Sequence, residues 1–508
     1  VYDVTSHGIE VQPDATDTIV APLGSRKTDF VVIGVLAVAL TFSVYMNITS
    51  GPAVVEEPDP VSVLIADFDN QTGNPLFDGL LEQAFIIGIE SAPHITSYQR
   101  NEALKIADIV QPGAEALDAT VSRLVAVREG VQLVLSGIIK AAGSGFELEV
   151  IGVDPKTSEP VFDVDGEADS AETVLQVLGE LSRDVREELG DTTLEQSAGP
   201  SSETFTAASL EAAKAYTNAQ QLAFEGRLED AVEQYRLATE LDPNFGRAFS
   251  SWALAEFKLG RTEEATELWE KALSLMETMT ERERLRTLGL YYASVTRNYD
   301  SAVQTFGELA EKYPADTAGH NNYAVSAFQT LDFETATEAG RRVLDIYPGS
   351  DLYRSNFALY AMYAGEFEAA ATVAQSLIED NPGYGTSYLP VAIAHLAAGE
   401  FEAARAAYES MAQAETSEHK ASLATLGLAD MAVFQGDFSA AEKLLWDGIE
   451  VDIDADNRRA AAVKYVALAE SFSASGDHDA AVSAAREAVA LSTSNAVQVS
   501  AAQVFLDA

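Results

Sequence analysis

Asp67 and Asp69 stand at the end of the apolar run VSVLIADF (61–68), where α/β domains often bring side chains to a ligand. An Asp-x-Asp pair after a buried strand would suit an aspartyl nucleophile in phosphoryl transfer. That chemistry needs a lysine and a further acidic pair to hold phosphate and Mg²⁺, and the surrounding domain shows no such set. The run DFDNQTGN reads instead as a turn whose Asp and Asn side chains bond to their own backbone, shaped by Gly73 and Pro75. Hydrolase chemistry at this pair would require divalent-metal dependence and loss of activity in Asp67→Asn.

A second acidic set, Asp452, Asp454 and Asp456, has the D-x-D-x-D spacing of a calcium loop. Its sixth position is Asn457 where an EF-hand needs Gly, and its twelfth is Val463 where a bidentate Glu belongs. An acidic loop between repeats is the better reading. Asp163, Asp165, Glu167 and Asp169 alternate as the water-facing residues of an edge strand would. The six histidines, at 7, 94, 320, 395, 419 and 478, are scattered without ligand spacing. The P-loop, G-x-S-x-G and H-E-x-x-H patterns are absent. The sequence therefore proposes no catalytic residue, no metal and no cofactor.

Composition narrows the partners. Among 508 residues, 80 Asp and Glu outweigh 32 Lys and Arg, a formal net charge of −48. Phosphate backbones are held by basic patches, so nucleic acid is excluded as a partner. A solvated acidic surface, as in salt-adapted proteins, is the simpler reading than a surface built for a basic partner. There is no cysteine, which removes disulfides, thiolate metal sites and Cys nucleophiles. The chain is too long for one domain, and nothing in it sets an oligomeric state.

The elements that position these residues fall into two groups. Residues 61–191 alternate strand and helix: strands at 61–68, 94–98 and 133–139, a hairpin strand at 146–153 after Gly143 and Gly145, and a strand at 161–165, with helices at 77–91, 119–129 and 171–189. That pattern predicts a small α/β domain on a mixed sheet. Beyond residue 209 one pattern returns eight times. Its small central residue falls at Ala231, Ala265, Ala302, Ala336, Ala370, Ala404, Ala441 and Ala481. Small residues allow two helices to cross closely; Tyr235, Trp269, Phe306 and Tyr408 fill the next layer, and Pro243, Pro314, Pro348 and Pro382 end the second helix of their units. The longer intervals place extra residues in loops near 279–283, 414–419 and 452–458.

A 34-residue helix-turn-helix period resembles the tetratricopeptide repeat, and a mainly α superhelix of about eight repeats over 209–493 follows, closed by a polar capping helix at 494–508. In such a stack the first helices line the concave side. There the register places Tyr216 and Phe224; Arg247, Phe257 and Lys258; Arg284 and Tyr291; Asn321 and Phe328; Met362 and Tyr363; then Leu389 and Ile393. This apolar and aromatic strip suits an extended peptide or a partner helix. Each of these residues also has a reading as core between repeats.

Ahead of both groups, residues 30–48 (FVVIGVLAVALTFSVYMNI) run 19 residues without a charge, about 28 Å as a helix, which matches a bilayer core. Residues 1–29 read as a flexible polar juxtamembrane segment, 49–60 as a Pro-rich tether and 192–208 as a linker. A first residue other than Met reads as a processed or partial chain. Arg26 and Lys27 precede the span and the next basic residue is Arg100, so the positive-inside rule puts the N-terminus in the cytoplasm. VSVLIADFDNQTGNPLFDGLLEQAF, VAVREGVQLVLSGII, the FELEVIGVDP hairpin and the ETFTAASLEAAKAYTNAQQLAFEGRLEDA junction resemble the TolB-like domain that precedes tetratricopeptide repeats in many bacterial membrane proteins. That resemblance implies an inner-membrane protein whose later domains are periplasmic. It implies either a noncatalytic scaffold for envelope proteins or the sensor arm of a kinase or cyclase lying upstream.

Overall fold

The structure is a computed structural model that describes residues 2–5, 8–11, 59–114, 116–191, 193, 209–414 and 418–507. It divides into a unit up to Asp59 and a second from Pro60 to Ala508. In the first unit, β1 (Tyr2–Thr5) and β2 (Gly8–Val11) pair antiparallel with Thr5 opposite Gly8. Val4, Thr5, Ile9 and Val11 are β-branched and suit paired strands; the rest of the polar segment 1–29 lies outside the described residues. The proposed membrane span, 30–48, and nearly all of the tether lie outside the described residues. Among the described residues no helix is long and apolar enough to cross a membrane.

The second unit opens with an α/β layer. Its elements are β3 (Val61–Ile65), β4 (Asp69–Asn70), α1 (Leu80–Ile89), β5 (Ile95–Ser97), α2 (Arg100–Val110), α3 (Ala119–Glu129), β6 (Leu133–Ala142), β7 (Gly145–Val153), β8 (Pro160–Ala168) and α4 (Val174–Glu188). The sheet order is β5-β3-β6-β7-β8, with β4 also paired to β6. β3 is parallel to β5 and β6, while β6, β7 and β8 form an antiparallel meander, so the sheet is mixed as expected. β3 reads as an unbroken apolar run because both its faces are covered: Val63 and Ile65 face one core with α1 and α4, Leu64 the other with α2 and α3. On the edge strand β8, Phe162 and Ala168 point inward while Asp163, Asp165 and Glu167 are exposed. Helix α2 is an element the sequence reading lacked. Only Ala103 and Ala107 are deeply buried along it, and two alanines make a weak periodic signal.

Helix pairs follow. Repeats one to four are α5 (Leu210–Phe224) with α6 (Leu228–Leu241), α7 (Gly246–Lys258) with α8 (Thr262–Ser274), α9 (Glu281–Tyr291) with α10 (Tyr299–Lys312), and α11 (Thr317–Gln329) with α12 (Phe333–Ile346). Repeats five to eight are α13 (Asp351–Tyr363) with α14 (Phe367–Asp380), α15 (Tyr388–Ala397) with α16 (Phe401–Ala414), α17 (Glu418–Phe434) with α18 (Phe438–Asp454), and α19 (Arg458–Ser475) with α20 (His478–Leu491). All eight marker alanines are at most 1 % exposed, because a larger side chain at the crossing would hold the helices apart. Tyr235, Trp269, Phe306 and Tyr408 are buried beside them. Pro243, Pro314, Pro348 and Pro382 each lie two residues past a second helix, where the missing N–H ends it. Side-chain caps begin several helices: Asp316 accepts from the Gly319 N–H, Asp332 from Thr335, Asp437 from Ala440 and Asp477 from Ala480.

Two expectations about loops and cap are corrected. The extra residues near 452–458 do not form an acidic loop but lengthen α18 and α19 to 17 and 18 residues. Those near 279–283 make a short 3₁₀ turn and the reciprocal Thr280–Glu283 cap of α9. Part of the third, 415–417, lies outside the described residues. The terminal helix α21 (Asn495–Asp507) packs on repeat eight. Its outer face exposes Val499, Phe505 and Leu506 beside Asn495, Gln498, Gln503 and Asp507, so it is mixed rather than wholly polar.

The turn between paired helices needs a left-handed residue. Glycine supplies it in repeats one, two and five to eight, for example Gly226 at φ 77°, but repeats three and four place Arg297 and Leu331 there at φ 51° and 62°. A non-glycine residue in this region costs roughly 1–2 kcal/mol. Leu331 is 73 % exposed, so its side chain returns little. Leu331→Gly is expected to stabilise the protein by about 0.5–1 kcal/mol once the extra chain entropy of glycine is subtracted. A lower urea midpoint in the variant would contradict this account.

The α/β layer is not a separate bead. Tyr98, Val125 and Leu64 share one core with Val343, Ile346, Tyr347 and Tyr353 of repeats four and five. Gly349 donates its N–H to Glu129 O at 3.3 Å, and a Cβ on Gly349 would lie 2.5 Å from Arg128 O. Ala315 donates to Pro93 O at 3.2 Å, and Lys214 of repeat one donates to Asp78 O.

Candidate interaction face of the repeats

The first helices form the inner side of the curve, since neighbouring first helices approach one another (α13 and α15, α17 and α19) whereas neighbouring second helices do so less. The residues assigned to that face from the repeat register have divergent environments. Tyr216 is 1 % exposed, its ring 6.0 Å from Tyr235 and 5.1 Å from Phe245. Arg247 donates Nε to Tyr216 Oη at 3.0 Å and Nη1 to Glu283 at 3.0 Å. Tyr216 is thus packed between helices, whereas Arg247 keeps 22 % of its side-chain surface. The side chain of Phe224 lies outside those described. Met362 is also buried, among Phe357, Ala361 and Ala370.

The remaining positions keep surface. Phe257 and Tyr291 are half-buried against the Trp269 cluster. Lys258 and Arg284 are exposed, Arg284 reaching Glu281 at 3.5 Å. Asn321 Oδ1 accepts from Asn356 Nδ2 at 3.1 Å, bridging repeats four and five. Phe328 packs edge-on to Tyr363 at 5.1 Å beside Phe333 and Tyr360, and Tyr363 is 52 % exposed. Leu389 and Ile393 are half-buried in repeat six. The polar points Ser355 and Thr386, 3.5 Å apart between repeats five and six, were missed because isolated Ser and Thr carry no periodic signal.

The acidic motifs resolve into structure. Asp67 pairs with Arg100 and accepts the Leu117 N–H at 2.9 Å, tying the start of α2 to the loop before α3. Asn70 accepts from the N–H and hydroxyl of Thr72 at 3.1 and 2.6 Å, and Asn74 accepts the Leu76 N–H at 3.1 Å, the expected side-chain-bonded turn. Behind it, Glu82 accepts the Phe68 N–H at 2.7 Å, and burial pushes its carboxyl up to about 7. Asp452 is buried and ion-paired with Lys464, so an ammonium already satisfies the carboxylate that opens the D-x-D-x-D run. His320 is buried, its Nε2 3.0 Å from Pro314 O, and burial lowers its pKa. Among the described residues no group of three His, Cys, Asp or Glu side chains is placed to hold a metal.

The densest electrostatics lie where the two layers meet. Asp316 is fully buried and accepts from Arg282 Nε at 2.8 Å and from Arg286 Nε and Nη2 at 3.0 and 2.8 Å. Glu90, at the end of α1, stands 3.7 Å from both guanidiniums. Burial alone would raise both carboxyls, but Arg282 and Arg286 outweigh it and hold them below the usual carboxylate range.

Comparisons with known proteins bear on the repeats. Residues 291–351 and 356–420 match the sequence model of the tetratricopeptide repeat. A search of curated protein sequences returns no match. Among solved structures, a tetratricopeptide repeat protein of Parabacteroides merdae is 14 % identical, with 47 % of this chain and 93 % of that one aligned at a TM-score of 0.36. YrrB, described as a TPR protein with an unusual peptide-binding site, is 15 % identical over 37 % of this chain and 96 % of its own, TM-score 0.31. A thermophilic TPR protein of Thermus thermophilus is 16 % identical over 37 % and 99 %, TM-score 0.32. Residues 291–351 and 356–420 are thus tetratricopeptide repeats, and the helix pairs on either side continue the same stack.

Proposed function

We propose that the chain is a noncatalytic, membrane-anchored scaffold whose repeats four to six hold an extended segment of another envelope protein. The carrying observation is the inner face around Asn321, Phe328, Tyr363, Leu389 and Ile393, which presents aromatic and apolar surface with amide and hydroxyl groups between. An extended chain needs that mixture: pockets for side chains, and donors and acceptors for its backbone. The apolar run at 30–48 supports an anchor, and the charge order around it supports a cytoplasmic N-terminus with the repeats in the periplasm. The α/β layer, whose sequence resembles a TolB-like domain, shares a core with the repeats and would serve as a second docking surface.

A photo-crosslinking residue in place of Tyr363, in native membranes, tests this. One dominant adduct is expected there, none at Val451 on the outer helix α18, and about a tenfold loss of adduct when Asn321→Ala is added, as for a contact of roughly 1–2 kcal/mol. Equal labelling at both positions, or none at 363, would sink the scaffold reading in favour of a sensor arm.

A further inference from the structure

A cavity of about 460 Å³ lies between the end of α1 and repeats two and three, within the range of small-molecule sites. It is apart from the face of repeats four to six. Its inner end is built from Arg247, Arg282 and Arg286, which meet the carboxylates Glu283, Asp316 and Glu90. Three guanidiniums against three carboxylates leave no net charge to draw in a simple anion. The guanidiniums are not all closed off: Arg247 and Arg286 keep 22 % and 26 % of their side-chain surface. A guanidinium with surface left in the cavity can give a ligand carboxylate a charge-assisted hydrogen bond.

The other walls define the rest of the ligand. Ile87, Met279 and the ring of Tyr313 give an apolar side, while Glu277 and Glu281 are exposed lining residues. Those two carboxylates repel an anion and attract an ammonium. Glu281 is already paired with Lys312, so Glu277 carries most of that pull. We infer that this cavity binds a small amphoteric molecule with an apolar side chain, a free amino acid or a short peptide. Its carboxylate meets the guanidinium end, its ammonium meets Glu277 and Glu281, and its side chain lies along Ile87 and Met279. Because one wall belongs to the α/β layer and the others to the repeats, the ligand stiffens their junction.

Calorimetric titration and thermal unfolding of the full chain with L-leucine, leucyl-leucine, leucinamide and N-acetyl-leucine test this. Leucine or leucyl-leucine is expected to bind and to raise Tm by about 3 °C at a hundredfold excess over Kd; whichever binds identifies the source as free amino acid or peptide. Blocking the carboxylate or the amine is expected to weaken binding at least about tenfold, the loss of one charged hydrogen bond. Glu277→Gln, on the exposed rim and harmless to folding, is expected to weaken leucine but not N-acetyl-leucine. Met279→Trp, filling the cavity, is expected to abolish binding. Absence of binding by both amphoteric ligands, equal affinity for N-acetyl-leucine, or undiminished binding by Glu277→Gln overturns the assignment. Photo-crosslinking at Tyr363 is blind to this cavity, so the two readings fail separately.

Discussion

Asp316→Asn is expected to destabilise the folded chain by about 3–5 kcal/mol, the cost of leaving buried charge without its partner. Arg282 and Arg286 both donate to this carboxylate, and Glu90 alone remains to face two guanidiniums. Asparagine is as good a helix cap as aspartate, so the bond to the Gly319 N–H survives and the loss reports the ion network. Urea unfolding checks it with two probes. The three tryptophans, Trp252, Trp269 and Trp446, all lie in repeats, and hydrogen exchange at β3 and α3 follows the α/β layer. A variant within about 0.5 kcal/mol of the parent would show that the network contributes little.

The same pair sets an acid limit. The folded-state pKa values of Asp316 and Glu90 are depressed, so the native state holds these protons less readily than the unfolded chain. Their contribution is full above about pH 4, the unfolded range for carboxylates, and is lost as pH falls below it toward the depressed values. Asp316→Asn is expected to flatten this part of the stability profile.

Tyr347→Ala is expected to cost about 3–5 kcal/mol, as for removal of a large buried ring. Its ring meets Tyr98 edge-on at 5.0 Å and stacks on Tyr353 at 6.3 Å, so the void opens in a core owned jointly by the sheet layer and repeats four and five. Hydrogen exchange in β3, β5 and α3 is expected to accelerate along with that in α12 and α13, while α19 and α20 keep their protection. If the α/β layer were only a spacer, the loss would be confined to the repeats. Exchange unchanged in β3 and α3 would establish that alternative.

Local chemistry sufficed for much of this protein. The marker alanines lie at every crossing, the prolines follow the helices they end, and the strand from Val61, the helix 119–129 and the edge-strand alternation of Asp163, Asp165 and Glu167 are in place, because each depends on periodicity or backbone constraint within a few residues. Other features had no local signature. Tyr216 shares the register of groove residues, yet its ring is packed against Tyr235 and Phe245, and Arg247 in the same register is paired with Glu283. Asp452 has calcium-loop spacing, but Lys464 on the next helix takes its charge. Most of all, nothing near Glu90 in the chain announces Arg282, nor anything near Tyr98 announces Tyr347. Those partners are about 190 and 250 residues apart, and buried charge is tolerable only where a partner from elsewhere completes it. The repeat architecture was therefore a property of short-range sequence. The joining of the α/β layer to it, the cavity at that joint and the share of the inner face left open were decided by tertiary packing alone.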